Sequence, residues 1–407
     1  MNLYLIMKGT VVFCVFLVVL MGVVRCHTSS NNEVKVDSKK ILESNIIKIK
    51  EVVRTVVSSD TFPRTISPGN KEWECVGVRD WCSGFWPGVL WYAYEASGDA
   101  ALKKEAERFT ASLKEIAYTP AMDHDIGFQM LPSYGNGYRL TGNVEYKKIL
   151  LAAADTLATL FNPNVGSIHS WPFKPQYPHN TIIDNMMNLE LLFWAAKNGG
   201  EQRLYDIAES HAEVTMKYIV RPDYSAYHLV SLDDKSGAFI EGKAHQGYAD
   251  ESMWARGQTW GIYGFAIAYR ETKRKDFLVT SMKMCDRFLE RLPEDGIPFW
   301  DFDDPAIPNT PKDVSAAAVA ACGMLELSGL VMEKTDQQRY YNAALKLLSI
   351  LSTDKYTCGD ENQAILTHSV GHMPKNSEID VPIIYADYYY MEALLRLKKI
   401  EQDKIVE

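Results

Sequence analysis

Apolar residues recur along most of the chain at the three- and four-residue spacing of amphipathic helices. Strict alternation, which indicates half-buried strands, is rare. The run 227–240 shows it on both sides of a polar turn and predicts one small β-hairpin. The helical pattern breaks at Gly, Pro or polar clusters and predicts twelve helices, at about 38–59, 83–97, 99–117, 124–131, 143–161, 181–198, 201–220, 252–271, 274–292, 312–331, 335–352 and 380–399.

Three connections resemble one another, at 94–99, 138–143 and 269–274. Each leads into an Ala-rich amphipathic helix, as in an antiparallel helical hairpin. Their spacing is irregular, which argues against a regular helical repeat. No Pro/Ser-rich linker occurs within 40–400. The sequence therefore predicts an all-α fold in one domain, a closed double ring whose six inner helices line a funnel. An open α-solenoid is the alternative.

The amino terminus has the pattern of an export signal over residues 1–26. Lys8 supplies a positive charge, and the uncharged apolar run 11–24 is short for a membrane span. The expected domain organisation is thus a signal peptide, 1–26, followed by one catalytic domain, 27–407. Lipid anchoring at Cys26 is an alternative, because a polar linker follows it.

Composition excludes some classes of partner. Of 407 residues, 47% are hydrophobic and 23% charged, with a net charge of −9. This is an ordinary globular composition that does not suggest a nucleic-acid surface. Five cysteines follow the signal. Cys75 and Cys82 could bridge a short loop, or the cysteines could be buried as small apolar residues.

Asp184 is the most informative single position. It lies in the run 180–197, where apolar residues surround it and Asn188 shares its helical face. A carboxylate there is costly to bury unless it is hydrogen-bonded or functional. Burial raises a carboxyl pKa, so such a residue suits proton donation near neutral pH.

A second cluster of candidate residues lies in the segment 244–260. Its indoles could stack on a sugar ring, and Arg256 could clamp a carboxylate in bidentate fashion. A core Trp pair with a structural Arg is the alternative. The binding residues in this segment are Gln246, Trp254, Arg256 and Trp260.

Further polar and aromatic candidates lie in three loops. Asp125 precedes a helix start, where Asp123 or Asp125 could equally be a helix N-cap. Trp81 and Trp171 could pave the funnel or belong to the core. His368 and His372 are four residues apart but lack an acidic third ligand at motif spacing, so no metal and no cofactor is expected. A pair of carboxylates, Asp125 and Asp184, between aromatic walls is typical of carbohydrate-cleaving enzymes.

Together these segments resemble the unsaturated glucuronyl hydrolases, glycoside hydrolase family 88, over about 70–400. The resemblance implies an (α/α)6 barrel, in agreement with twelve paired helices. The matching runs are 81–88, 124–128, 183–189, 245–248 with 254–258, 312–318 and 385–389. Cys82 departs from the small polar residue expected at its position.

The resemblance also implies a substrate and a mechanism. The substrate is an oligosaccharide made by a lyase, with a 4,5-unsaturated uronic acid at its non-reducing end. Asp184 protonates C4 of the enol ether, water adds at C5, and the resulting hemiketal opens. Asp125 assists. The implied substrate-binding residues are His228, Gln246, Trp254, Arg256 and Trp260.

Other functions remain open from the sequence alone. They are a sugar epimerase or isomerase with a histidine base (His124, His228 or His245), an ordinary inverting glycosidase, and a sugar-binding protein. Lys375 and Ser377 are candidates for sulfate tolerance, since they lie in a loop near the expected funnel.

Overall fold

The computed structural model describes residues 35–406, in which helices form a double ring. Inner and outer helices alternate along the chain, with α2, α4–α5, α7, α9, α11 and α13 inside. The prediction of a closed barrel is thus confirmed. The helices are α1 (Ser38–Thr55), α2 (Phe85–Ser97), α3 (Ala100–Ser112), α4 (Ile126–Met130), α5 (Asn136–Thr141), α6 (Val144–Ala158), α7 (Asn185–Lys197), α8 (Gln202–Tyr218), α9 (Ala255–Thr272), α10 (Lys275–Arg291), α11 (Val314–Leu330), α12 (Lys334–Leu351) and α13 (Ile384–Val406).

The three similar connections are tight turns between an inner helix and the next outer helix. Gly98, Gly142 and Lys273 each end a helix in the left-handed conformation. The next residue caps the following helix in the first two cases, where Asp99 and Asn143 accept a backbone N–H. Glycine is favoured at such a position because it lacks a Cβ atom. These joins therefore form the expected helical hairpins.

The predicted 124–131 helix is longer and bent. α4 runs into a π-helical turn, Leu131–Gly135, which contains Pro132 and leads into α5. The segment 133–138, which looks like a loop in sequence, thus belongs to the second inner helix, α4–α5. A proline inside a helix removes one backbone hydrogen bond, which accounts for the local widening.

Short strands lie in the segments that connect the helices. The predicted hairpin exists as β6 (Leu229–Leu232) and β7 (Phe239–Lys243), and β5 (His179–Ile182) adds a third strand. The expected helix start at 181 is therefore wrong, because Thr181 and Ile182 pair with β6 as a strand. The expected start at 380 is too early for the same reason, since β9 runs to Val381 and α13 begins at Ile384. The other strands are β1 (Thr61–Thr65), β2 (Glu74–Gly77), β3 (Phe161–Asn162), β4 (Ser167–Ile168), β8 (Ser369–His372) and β9 (Ser377–Val381).

The cysteines of the described chain are unpaired. The bridge between Cys75 and Cys82 is not formed: Cys75 is exposed, and the other four thiols are buried. The alternative of small buried apolar residues therefore holds for Cys82, Cys285, Cys322 and Cys358. The predicted export signal lies outside the described residues. Across 35–406 no helix has the length and apolarity of a membrane span.

Ion pairs link inner helices at one end of the barrel. Arg270 of α9 binds Glu190, Glu271 and Glu326, while Arg396 of α13 binds Glu326 and Glu392. Beside them lies a cavity of about 530 Å³ with aromatic walls. Each acid here has a cationic partner, so the charges hold neighbouring helices together.

Candidate active site

The amino-terminal ends of the inner helices meet at the other end of the barrel. The Trp81 ring, just before α2, lies 5.1 Å from the Tyr385 ring of α13. Arg256 of α9 donates over 3.0 Å to Asp313, which caps α11. Asp184 begins α7 in the same region. Helix amino termini favour negative charge, so this end is suited to hold anionic groups.

Asp184 occupies the N-cap position of α7, but its side chain caps no backbone N–H. Its Oδ2 atom is buried and has no hydrogen-bond partner among the described residues. Burial raises its pKa to about 7, against the opposing effects of the Arg256 charge and its own backbone N–H. Desolvation therefore outweighs the helix start, and the carboxyl can carry a proton at neutral pH.

Asp125 has the same position on α4. It is the N-cap residue without a capping bond, while Asp123 accepts the Asp125 backbone N–H over 3.0 Å. Burial, and then the charges of Asp123, Asp184 and Asp80, raise the pKa of Asp125 well above its usual range. The nearest acid, Asp123, is also raised in pKa by burial, so burial and neighbouring acids together favour the protonated form of Asp125.

A neutral imidazole faces each of these carboxyls. His228 Nδ1 accepts backbone N–H groups of His245 and Gln246 over 3.2 and 3.0 Å. Its proton therefore lies on Nε2, which is 3.6 Å from Asp184 Oδ2. His124 Nε2 lies 3.5 Å from Asp125 Oδ1. Burial holds the pKa of His124 near 3 and that of His228 well below its usual range, so both rings are neutral.

Arg256 is buried behind Asp184. Its guanidinium donates to Asp313 and to the backbone carbonyls of Val370 and Gly371 in β8. It stacks 4.7 Å from the centre of the Trp254 ring. These contacts tie the α9 start to the β8–β9 hairpin and direct positive charge at Asp184. The predicted clamp on a substrate carboxylate stays a prediction.

The predicted tryptophans occupy different depths. Trp171 is partly exposed and reaches the rings of His124 and His228, 6.3 and 5.7 Å away, so it spans both carboxyls. Trp81 packs on Phe128, 5.6 Å away. Trp260 is completely buried beneath Phe128, 5.2 Å away. Trp171 and Trp81 can thus face a ligand, whereas Trp260 supports the floor.

A group of basic side chains surrounds the mouth. Lys174 Nζ lies 3.7 Å over the Trp171 ring and 3.0 Å from His245 Nε2. His372 packs against His245, with ring centres 4.9 Å apart. Burial and the charge of Lys375 lower the pKa of Lys174 to about 8. This mouth cluster (Lys174, His245, His372 and Lys375) suits an anionic substituent on a sugar.

The two loop residues expected to affect sulfate tolerance are separated. Lys375 joins the mouth cluster, while Ser377 lines a groove of about 590 Å³ between the β1–β2 and β8–β9 hairpins. Gln246, predicted to bind sugar, donates its side-chain N–H to the Gly371 carbonyl over 3.0 Å. This bond holds the 244–250 loop against β8 beside Asp184.

Sequence reasoning assigned no role to Asn188, Asp313 or Lys174. Asn188 stood out only as a polar neighbour of Asp184 on the helix. Asp313 precedes an Ala-rich helix and could have been read as an N-cap. Lys174 carries no local signal, because it reaches the site through a turn and a contact 71 residues away.

Comparisons with known proteins identify the family of this chain. The family model for Glycosyl Hydrolase Family 88 matches residues 48–402. An unsaturated glucuronyl hydrolase from Formosa agariphila is 38% identical over 400 residues, covering 95% of this chain and 98% of the relative. An unsaturated chondroitin disaccharide hydrolase from Streptococcus agalactiae is 32% identical, covering 90% and 97%.

A solved structure extends the agreement to three dimensions. The crystal structure of an unsaturated glucuronyl hydrolase specific for heparin superposes with a TM-score of 0.86 at 42% identity. It covers 90% of this chain and 98% of that chain. Sequence, fold and paired buried carboxyls lead to the same conclusion: this chain belongs to glycoside hydrolase family 88.

Proposed function

We propose that this chain removes a 4,5-unsaturated uronic acid from the non-reducing end of lyase-generated oligosaccharides. Family membership supports a glycosidase of the unsaturated glucuronyl hydrolase type. The observation that carries the proposal is the Asp184 carboxyl, which is buried, raised in pKa to about 7 and unpartnered at Oδ2. Such a group holds a transferable proton at neutral pH.

The chemistry follows from that proton. Asp184 protonates C4 of the enol ether, and positive charge develops at C5 and the ring oxygen. Water adds at C5 and returns its proton to the Asp184 carboxylate. The hemiketal so formed opens, and the neighbouring sugar leaves. Asp125 assists by positioning the substrate beside Asp184.

The basic surroundings fit an acidic substrate. Inner-helix amino termini and the charge of Arg256 favour the uronate carboxylate at the base of the site. Trp171 and Trp81 offer faces for sugar rings. The mouth cluster supports sulfated substrates, with Lys375 the candidate for sulfate tolerance.

The histidines disfavour epimerase chemistry. A histidine base needs a free ring nitrogen facing the substrate. In His124 and His228 the Nδ1 atom already accepts an N–H, and the protonated Nε2 atom faces a carboxyl. His245 lies against the Lys174 ammonium group. Proton transfer therefore falls to the aspartates.

A direct assay tests this function. Unsaturated disaccharides from chondroitin, heparin, hyaluronan and ulvan absorb in the ultraviolet through their conjugated double bond. We expect the wild type to remove this absorbance from at least one of them and leave saturated analogues intact. Asp184→Asn should slow the reaction by about 10²–10⁴-fold. Activity on none, or full activity of the variant, would overturn the proposal.

We also propose that the chain is exported, because residues 1–26 have the charge and apolar pattern of a signal peptide. Export would place it with the oligosaccharides that extracellular lyases release. Lipid anchoring at Cys26 is the alternative form of the same proposal. Mass spectrometry of the mature amino terminus, with and without Cys26→Ser, distinguishes plain cleavage from lipidation.

A further inference from the structure

Asp125 occupies the N-cap position of α4, but its side chain does not cap the helix. An N-cap side chain normally accepts a hydrogen bond from the second or third backbone N–H of its helix. Asp125 makes no such bond. The third N–H of α4, that of Phe128, is instead bonded to Asn188 Oδ1 over 2.7 Å. Asn188 belongs to α7, so the cap comes from a neighbouring helix.

The Phe128 bond fixes the orientation of the Asn188 amide. Because Oδ1 accepts an N–H, both protons of Nδ2 point to the other side. One goes to His124 Nδ1 over 3.0 Å, and Nδ2 also donates to the Asp125 carboxylate. His124 must then carry its own proton on Nε2, beside Asp125. One fully buried residue thus satisfies the helix, the imidazole and the carboxylate.

We propose that Asn188 is a positioning residue that caps α4 in place of Asp125 and so holds the Asp125 carboxyl free to face the substrate. The inference rests on the proposed function, since it assigns roles within that reaction. If Asp125 capped its own helix, its carboxylate would turn towards the backbone and away from Asp184. The borrowed cap leaves Asp125 free to act on substrate.

The two carboxyls differ in their hydrogen bonds. Asn188 donates to Asp125, which favours the ionised form, whereas burial and the charges of Asp123, Asp184 and Asp80 oppose it more strongly and raise the pKa of Asp125. Asp184 Oδ2 has no hydrogen-bond partner among the described residues. The amide of Asn188 therefore orients Asp125, and its loss should raise the pKa of Asp125 further.

Close packing makes the arrangement specific. Gly127 lies against Asn188, and an added Cβ atom would stand 2.5 Å from the Asn188 Cα atom. The backbone of α4 and the side chain of Asn188 are thus in direct contact. A side chain at position 127 would therefore displace Asn188.

Two variants separate the capping of α4 by Asn188 from the hydrogen bonds that its amide group donates. Asn188→Asp keeps an oxygen for the Phe128 N–H but removes both amide donors. Asn188→Leu has similar volume and removes the cap as well. Asn136→Leu is the control, since Asn136 is also a buried helical amide, bonded to the Pro132 carbonyl in α5. We would measure kcat/KM against pH on the unsaturated disaccharide that the wild type cleaves.

The expected result is a shift of one limb. Loss of the amide donor raises the pKa of Asp125, so the limb of the kcat/KM profile that Asp125 sets should move up by about one pH unit in both Asn188 variants. The limb set by Asp184 should move less. Asn188→Leu should lose more in kcat than Asn188→Asp, because its Asp125 turns to cap α4. A crystal structure of Asn188→Leu should show that rotation. Asn136→Leu should lower Tm without moving either limb.

Other outcomes overturn the inference. If both Asn188 variants keep the wild-type limbs and lose activity only in proportion to lost stability, Asn188 is merely structural. An Asn188→Leu structure with Asp125 unmoved would exclude the capping role. Both failures differ from failure of the proposed function, in which the wild type itself cleaves no unsaturated disaccharide. If Asn188→Leu does not fold, the kcat/KM profile of Asn188→Asp against pH tests the inference on its own.

Discussion

The two ends of the barrel contain similar side chains and use them differently. At the end formed by helix carboxyl termini, Glu326 accepts bonds from Arg270 and Arg396, over 2.9 and 2.5 Å. At the end formed by helix amino termini, Asp184 Oδ2 and His228 Nε2 face each other at 3.6 Å and are buried without partners. The first end is electrostatically satisfied, and the second is not.

This difference teaches which buried charges are functional. Buried polar groups in proteins are nearly always hydrogen-bonded, so an exception needs an explanation. Cavity size alone would mislead here, because neither the cavity of about 530 Å³ nor the groove of about 590 Å³ is lined by Asp125 or Asp184. The unpartnered atoms of Asp184 and His228 face each other, so a bound substrate can supply the hydrogen bonds that they lack.

The largest expected effect comes from removing the Asp184 charge. Its folded pKa of about 7 exceeds the usual 3.8, so the folded chain binds a proton that the unfolded chain has lost. Stability from this group is full below pH 4 and falls as pH rises towards 7. Asp184→Asn should therefore gain ~2–4 kcal/mol at pH 8 and nothing at pH 4. Urea unfolding at both pH values measures this; equal gains at both would contradict it.

The opposite end should respond in the opposite way. Glu326→Gln leaves Arg270 and Arg396 without their shared carboxylate and should cost ~3 kcal/mol of unfolding free energy. The kcat/KM for the unsaturated disaccharide should not change, because the site lies at the other end. Urea unfolding and the ultraviolet absorbance assay together test this. A loss of activity without a loss of stability would break the comparison.

The smallest effect is expected at Asp387, which matches Asp184 in burial but not in bonding. Burial also raises its pKa to about 7, yet its two oxygens accept the backbone N–H groups of Ile365 and Leu366 over 2.9 Å. Asp387→Asn loses one of these bonds, which destabilises the fold. It also removes the free-energy cost of burying a charge, which offsets that loss. Stability at pH 8 should change by less than ~1 kcal/mol, and activity should stay constant. An inactive Asp387→Asn would show that burial, not missing partners, marks function.

Much of the barrel can be predicted from sequence because its helices have a local signal. Apolar spacing gives their number and approximate bounds, and Gly98 and Gly142 mark their ends. The short strands are harder to find. β5 is buried on all sides, so its residues lack alternation and look like the start of α7.

The site was predictable in its residue types but not in its bonds. Burial of Asp184 follows from its apolar neighbours. The contacts of Arg256 do not, since they join α9 to carbonyls of Val370 and Gly371 more than one hundred positions away. Nor does the link from Asn188 to Phe128 and His124, 60 and 64 positions apart. Such contacts depend on how the ring closes, which short-range patterns do not encode.

The contact between Gly127 and Asn188 also limits how a protein of this design can diversify. With no room for a side chain at Gly127, substitutions at this position would disturb the packing of α4 on Asn188. At the rim, side chains of the Trp171–Lys174 turn and of 372–380 are partly or fully exposed, so substitutions there are less constrained. Descendants with new substrate preferences should differ in these rim segments and retain the same inner contact.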